Sequence, residues 1–218
     1  MRALTYAVLG VFLGACSSSP DKTAAEPSDP PASAQAIQAK DASKESAAKR
    51  AEGIPADAEV AYFAGGCFWG VEYYMEQLDG VYEVDSGYMG GHIENPSYEQ
   101  VSSQTSGHLE TVRIRYDATR VDYEAIARRF FEIHDPTQAN GQGPDIGPEY
   151  LSAVFYSTPE EKQTTEKLIE ILEGRGYDVV TMVKPAEEFY PAEDYHQDYY
   201  VRKGTKPYCH ARVERFSD

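Results

Sequence analysis

Glu59-Val60-Ala61-Tyr62-Phe63-Ala64-Gly65-Gly66-Cys67-Phe68-Trp69-Gly70-Val71-Glu72-Tyr73-Tyr74-Met75-Glu76-Gln77-Leu78 is the stretch from which the fold is read. Residues 59–64 read as a short strand. Val71, Tyr74, Met75 and Leu78 then recur at helical spacing. Cys67 therefore stands where a strand turns into a helix. The glycines around it let the backbone turn sharply and approach another molecule closely. A helix start presents free N–H groups and partial positive charge, which favour a thiolate over a thiol. Phe68 and Trp69 can wall an apolar pocket beside the sulfur.

Working outward, Val81 to Tyr88 alternates as a strand and runs into Gly87-Tyr88-Met89-Gly90-Gly91, a tight loop presenting a phenol. Asn95-Pro96-Ser97-Tyr98-Glu99-Gln100 reads as a turn entering a short helix. His108 to Tyr116 has period two. Glu110, Val112, Ile114 and Tyr116 share one face, so Glu110 occupies an aliphatic face whose low polarity raises a carboxyl pKa. Asp122 caps a helix through His134, with Tyr123, Ile126, Ala127, Phe130 and Ile133 on one stripe. Residues 137–149 are glycine- and proline-rich and read as a long irregular connection of the kind that carries function. Leu151–Ser157 reads as a buried strand. Thr158-Pro159-Glu160-Glu161 reads as a capping box opening a helix that ends at Gly174. Asp178–Lys184 reads as a further strand. The order βαββαβ predicts an α+β fold: a two-layer, ferredoxin-like (split βαβ) mixed sheet, helices on one face, with a long irregular C-terminal segment wrapped over it.

Three zones follow. Residues 1–15 have a charged start and an apolar run too short to span a bilayer permanently, which marks a signal peptide. Its end, Leu13-Gly14-Ala15-Cys16, resembles the bacterial lipoprotein cleavage box, which implies lipid on Cys16 and a membrane anchor. Ser17 after it resembles the outer-membrane sorting signal in preference to inner-membrane retention, on the periplasmic side of the envelope. Residues 16–56 are poor in large apolar side chains and are expected to be a disordered tether. Residues 17–56 carry six acids and five bases and Arg2 lies in the signal, so the formal charge of −16 falls on the 57–218 domain. A phosphate backbone would be repelled, which argues against nucleic-acid binding. That domain is long enough for one hydrophobic core and is expected to be monomeric. With Cys16 lipidated, Cys67 and Cys209 remain. In an exported protein such a pair is commonly a structural disulfide, whereas the glycine-bracketed Cys67 suits a reactive thiol. Few thiols and scattered histidines argue against a metal centre.

Gly66-Cys67-Phe68-Trp69-Gly70 resembles the signature of the type A peptide methionine sulfoxide reductases. The resemblance continues through Gly87–Gly91, Asn95–Glu99, Gly107-His108-Leu109-Glu110, His134–Thr137, Asn140–Gly147 and Ala192–Gln197, covering residues 58–210. It implies reduction of methionine S-sulfoxide, free or in oxidised proteins, without a bound cofactor. It further implies that Cys67 is the nucleophile, that Phe68 and Trp69 hold the substrate methyl, and that Tyr88, Glu110 and Tyr150 bind the sulfoxide oxygen beside the acid Asp145. Cys209 is implied as the resolving cysteine, closing a Cys67–Cys209 disulfide that a thioredoxin-type dithiol reopens. The usual Gln-Tyr-Arg of the family is Glu149-Tyr150-Leu151 here, Pro144 stands where asparagine is common, and Ser102 or Ser103 replaces a non-catalytic cysteine. The residue types themselves also admit a cysteine hydrolase, although no partner histidine is selected, and a non-enzymatic lipoprotein stapled by Cys67–Cys209. His108, His134 and His196 are read as structural hydrogen-bonders.

Overall fold

The computed structural model describes residues 53–217. The signal segment, Cys16 and nearly all of the expected tether lie outside the described residues. The chain forms β1 (Glu59–Gly65), α1 (Phe68–Met75), β2 (Val81–Met89), α2 (Tyr98–Ser102), β3 (Leu109–Tyr116) and α3 (Tyr123–Ile133). There follow the short strands β4 (Gly141–Gln142) and β5 (Asp145–Ile146), a 3-10 turn (Pro148–Tyr150), β6 (Ser152–Tyr156) and α4 (Pro159–Gly174). β7 (Met182–Pro185), β8 (Tyr190–Pro191) and α5 (Tyr199–Lys203) complete it.

The main sheet has the order β7-β6-β1-β3-β2-β8. Its four central strands, β6-β1-β3-β2, are antiparallel neighbours, as the split βαβ plan requires. The parallel pairing of β7 on β6 makes the sheet mixed. One face, with Ala61, Phe63, Val112, Ile114 and Tyr116, packs against α1, α3 and α4. Phe130 of α3 meets Phe63 with ring centroids 4.9 Å apart. Each fully buried side chain of this size contributes about 1.5–3 kcal/mol. The opposite face, with Ala64, Met89, Leu109, Ala153 and Phe155, is covered by Phe189 of the C-terminal segment. The Arg113 guanidinium lies 4.8 Å over the Phe189 ring.

Several local expectations change. α1 stops at Met75, short of Leu78. The 137–149 connection is not wholly irregular: Gly141 and Gln142 pair with Ile146 and Asp145 as a small hairpin. At the start of α4 the Thr158 hydroxyl accepts from the Glu161 amide, but the Glu161 carboxylate accepts from Ser157 N–H, one residue earlier than a standard capping box. Gly174 is the last residue of α4 and the left-handed exit falls on Gly176, φ +93°. Of the strand expected over 178–184, only the end pairs with β6; Val180 N–H instead donates to the Pro136 carbonyl at 2.8 Å. β8 has no counterpart in the sequence pattern. Pro191 cannot donate to a ladder, and it is accommodated because β8 is an edge strand.

Candidate active site

The site is assembled at the β1–α1 junction. Cys67 is the N-cap of α1. Gly66 before it has φ +92°, and a Cβ there would overlap the Gln142 side chain, so both backbone and space require glycine. Gln142 is itself clamped, its amide exchanging hydrogen bonds with the backbone N–H and carbonyl of Asp135 at 3.1 and 3.2 Å. The β4–β5 hairpin is thereby held against the turn that carries Cys67.

A cavity of about 140 Å³ opens over Cys67, lined by Phe68, Trp69, Tyr98, Glu110, Asp145, Tyr150 and Tyr208. A water occupies about 30 Å³ in the liquid, so the space suits a small group of a few heavy atoms. Glu110 lies on the helix-facing side of β3 and is buried. Its Oε2 accepts the Phe68 amide N–H at 3.0 Å. Burial, then the neighbouring Cys67, pushes its pKa well above the usual carboxylate range, partly offset by that amide. The shift favours the protonated acid, the form able to donate a proton inside the cavity. Tyr98 and Tyr150 both line the cavity with their hydroxyls in contact; burial raises both pKa values, the Tyr150 hydroxyl pulling that of Tyr98 partly back, so both phenols keep their protons. Asp145 receives the Tyr208 hydroxyl at 2.9 and 3.2 Å on its two oxygens.

The Cys67 and Cys209 sulfurs and an Asp145 carboxylate oxygen all lie within 4.8 Å of one another. Both cysteines are free and buried. The expected easy thiolate at the helix start is overturned. Contact with the Cys209 thiol, then burial, pushes the Cys67 thiol well up, outweighing the Trp69 amide. A one-turn-deep helix terminus supplies too little field to offset desolvation and a second sulfur.

The aromatic wall is fixed from behind. Trp69 Nε1–H donates to His196 Nδ1 at 3.1 Å. The Tyr199 ring stacks on Trp69 at 3.7 Å and 5°. Burial lowers the His196 pKa to about 4, so the ring stays neutral and keeps Nδ1 as an acceptor. Glu193 accepts the Tyr98 backbone N–H on one oxygen at 3.0 Å and the Tyr88 hydroxyl on the other at 3.1 Å.

A family model described as peptide methionine sulfoxide reductase matches residues 59–218. The chain belongs to that family. It is 46% identical over 157 residues to the peptide methionine sulfoxide reductase MsrA 1 of Rhodopirellula baltica, covering 71% of this chain and 81% of the relative. Among solved structures it is similar to Mxr1 from Saccharomyces cerevisiae in reduced form, with a TM-score of 0.69 and 30% identity over 73% of this chain and 94% of that one. Mxr1 in complex with Trx2 matches with a TM-score of 0.50 and 23% identity, over 73% of this chain and 93% of that one. The protein is accordingly an oxidoreductase that acts on methionine sulfoxide.

Six of the residues expected in this methionine sulfoxide reductase's site, Cys67, Phe68, Trp69, Glu110, Asp145 and Tyr150, line one cavity, with Cys209 alongside. Tyr88 is different. It pairs directly with Glu110 across β2 and β3, but its hydroxyl is turned to Glu193 and is not among the groups lining the cavity. The phenol that lines the cavity in its stead is Tyr98. It lies in the Asn95–Glu99 motif, which by itself reads only as a turn. Tyr208 and His210, beside Cys209, carry no signal in the sequence, because a C-terminal loop has no periodicity to mark which residues meet the site. His134 is structural, bonded to the Phe130 carbonyl at 2.7 Å and the Ser152 hydroxyl at 2.8 Å. So is His108, which accepts the Gly91 N–H at 3.1 Å and donates to the Ile93 carbonyl at 2.8 Å.

Proposed function

We propose that this chain reduces methionine S-sulfoxide in proteins through a sulfenic acid on Cys67 and a Cys67–Cys209 disulfide, and that a thioredoxin-type dithiol regenerates it. The observation that carries the reading is the convergence of a thiol, a carboxyl group of raised pKa and three phenols on one small cavity, with a second thiol within 4.8 Å of the first. The sulfoxide methyl rests against Phe68 and Trp69. Its oxygen points at Glu110, Tyr98 and Tyr150, which donate as negative charge builds on it. Cys67 sulfur attacks the sulfoxide sulfur. The oxygen passes to Cys67, methionine leaves, and the thiol's proton is retained as the sulfenic O–H. The step balances: a thiol and a sulfoxide are consumed, and a sulfenic acid and a thioether are made. Cys209 then attacks the Cys67 sulfur, the S–O bond breaks and water departs.

Disulfide exchange with a thioredoxin-type donor completes the cycle; the capture of Mxr1 with Trx2 supports this choice of donor. Mixing the reduced protein with a peptide containing methionine S-sulfoxide, without reductant, should release one methionine thioether per chain and produce the Cys67–Cys209 disulfide. Release of no methionine would remove the reading. A cysteine hydrolase is disfavoured by one observation: the histidine at thiol distance, His210, contacts Cys209 and not Cys67.

The sequence also supports a lipid anchor on Cys16, with residues 16–56 as a tether that holds the reductase at the periplasmic side of the envelope, at the outer membrane in preference to the inner. Its substrates are then oxidised envelope proteins. Cys16→Ser should move the protein from the membrane fraction to the soluble fraction; unchanged fractionation would overturn the anchor.

A further inference from the structure

His210 follows Cys209 in sequence and is buried. Its two ring nitrogens have different partners. Nε2 lies 2.8 Å from the Gly65 carbonyl oxygen, which can only accept, so Nε2 carries the hydrogen. In the neutral ring this leaves Nδ1 as a lone pair, and Nδ1 lies 3.0 Å from the Cys209 sulfur. The tautomer is therefore set by the main chain of the very turn that carries Cys67. The ring's seat is also shaped for it. A Cβ on Gly70 would overlap the imidazole at Nδ1, and a Cβ on Gly66 would touch its edge at 3.6 Å. The two glycines that bracket Cys67-Phe68-Trp69 thus do more than turn the chain: Gly70 leaves room for a histidine on the far side of the sulfur pair.

We propose that His210 is the general base of the resolving step, taking the Cys209 thiol proton on Nδ1 as Cys209 attacks the oxidised Cys67. This rests on Cys209 being the resolving thiol. Atoms and electrons balance as follows. The Cys209 S–H bond breaks, with its proton going to Nδ1. The Cys209 sulfur forms a bond to the Cys67 sulfur, and the Cys67 S–OH bond breaks. Hydroxide takes up a proton and leaves as water, Cys209 being oxidised and Cys67 reduced. The imidazolium can return that proton, so the pair ends as disulfide, water and neutral His210.

The surroundings suit a base. Burial holds the His210 pKa below the ordinary histidine value, with the Gly65 carbonyl and Asp145 pulling the other way. The ring is therefore neutral near pH 7. The titratable groups around it are Cys209 on its own loop, Asp145 on β5, His134 at the end of α3 and Tyr74 on α1, whose hydroxyl donates to the His210 carbonyl. Among the described residues, only His210 of these has an acceptor nitrogen at hydrogen-bond distance from either sulfur.

The test separates the two chemical steps. Reduced full-length protein is mixed rapidly with the peptide methionine S-sulfoxide, and methionine release and disulfide formation are timed separately across pH 4 to 9. In the wild type, disulfide formation should lose rate as pH falls through the His210 pKa while methionine release does not share that limb. His210→Gln keeps a donor for the Gly65 carbonyl but has no base. It should cut the ratio of disulfide rate to methionine-release rate tenfold or more, and its disulfide rate should lose the limb that follows the His210 pKa. An unaltered ratio and pH profile in His210→Gln would overturn the proposal, as would an equal slowing of both steps. A wild-type resolving step without an acid limb would overturn it even if the variant failed to fold. Failure of the wild type to form the disulfide at all would instead remove Cys209 as resolving thiol.

Discussion

The Glu110 carboxyl on β3 accepts the backbone N–H of Phe68, the residue after Cys67, at 3.0 Å. One hydrogen bond thus ties the acid to the first turn of the helix that carries the nucleophile, and fixes the acid's position relative to the sulfur. The amide favours the ionised carboxylate, yet burial and the adjacent sulfur win, and the pKa stays well above the usual range.

Glu110→Gln keeps an acceptor for the Phe68 amide and removes the proton. Single-turnover release of methionine should fall about a hundredfold or more, with substrate affinity changed far less. In the wild type, the same rate should decline as pH rises through the Glu110 pKa, because the acid is competent only when protonated. A stopped-flow pH series on both proteins checks this. An unchanged rate in the variant would mean that the proton comes from elsewhere.

Tyr98 and Tyr88 should separate. Tyr98→Phe removes a donor lining the cavity and should slow methionine release about tenfold to a hundredfold, as should Tyr150→Phe. Tyr88→Phe leaves one Glu193 oxygen without its hydroxyl donor and should cost about 1 kcal/mol of stability. Its effect on the chemical step should be smaller than that of Tyr98→Phe. Denaturant melts alongside single turnovers decide this, and a ranking with Tyr88→Phe the more damaging to chemistry would restore Tyr88 to the oxygen site.

Cys209→Ser should release one methionine per chain and then stall with thioredoxin as donor. Counting thiols and methionine over several cycles checks this. Sustained turnover at the wild-type rate would deprive Cys209 of its role.

Glu72 on α1 gives a stability prediction. Burial, then repulsion from Glu76, raises its pKa to about 9 from an ordinary 4.5. Its Oε1 is buried without a hydrogen-bond partner. A carboxyl with a folded-state pKa above its unfolded value stabilises fully below the unfolded pKa. That contribution is lost as pH rises from about 4.5 towards about 9. Glu72→Gln should therefore raise the melting temperature by a few degrees at pH 8.5 and give no gain near pH 4. A melting difference independent of pH would contradict this.

The order of the central strands was legible because their side chains obey simple periods. Glu110 could be placed on the aliphatic face of β3 from alternation alone, and the stripe of α3 from Ile126 to Ile133 likewise. What failed was long-range. The fate of the Tyr88 hydroxyl depends on Glu193, 105 residues later. The acidity of Cys67 depends on a sulfur brought in from residue 209, which reverses an inference drawn from the helix start alone. β8 and the burial of Cys209 and His210 follow no period; tertiary contacts define them, and sequence spacing is blind to those.

The short approach of Cys209 to Cys67 has a consequence for damage as well as for turnover. A sulfenic acid waiting in an oxidising surround is open to a second encounter with peroxide, which yields a sulfinic acid that thiols do not restore. That encounter is bimolecular and scales with peroxide concentration. The competing capture comes from a neighbour already within 4.8 Å, whose local concentration dilution cannot lower. The same closeness that raises the resting thiol's pKa therefore sets a partition in favour of the recoverable disulfide, and lets a repair enzyme outlast the oxidant burst that creates its substrates.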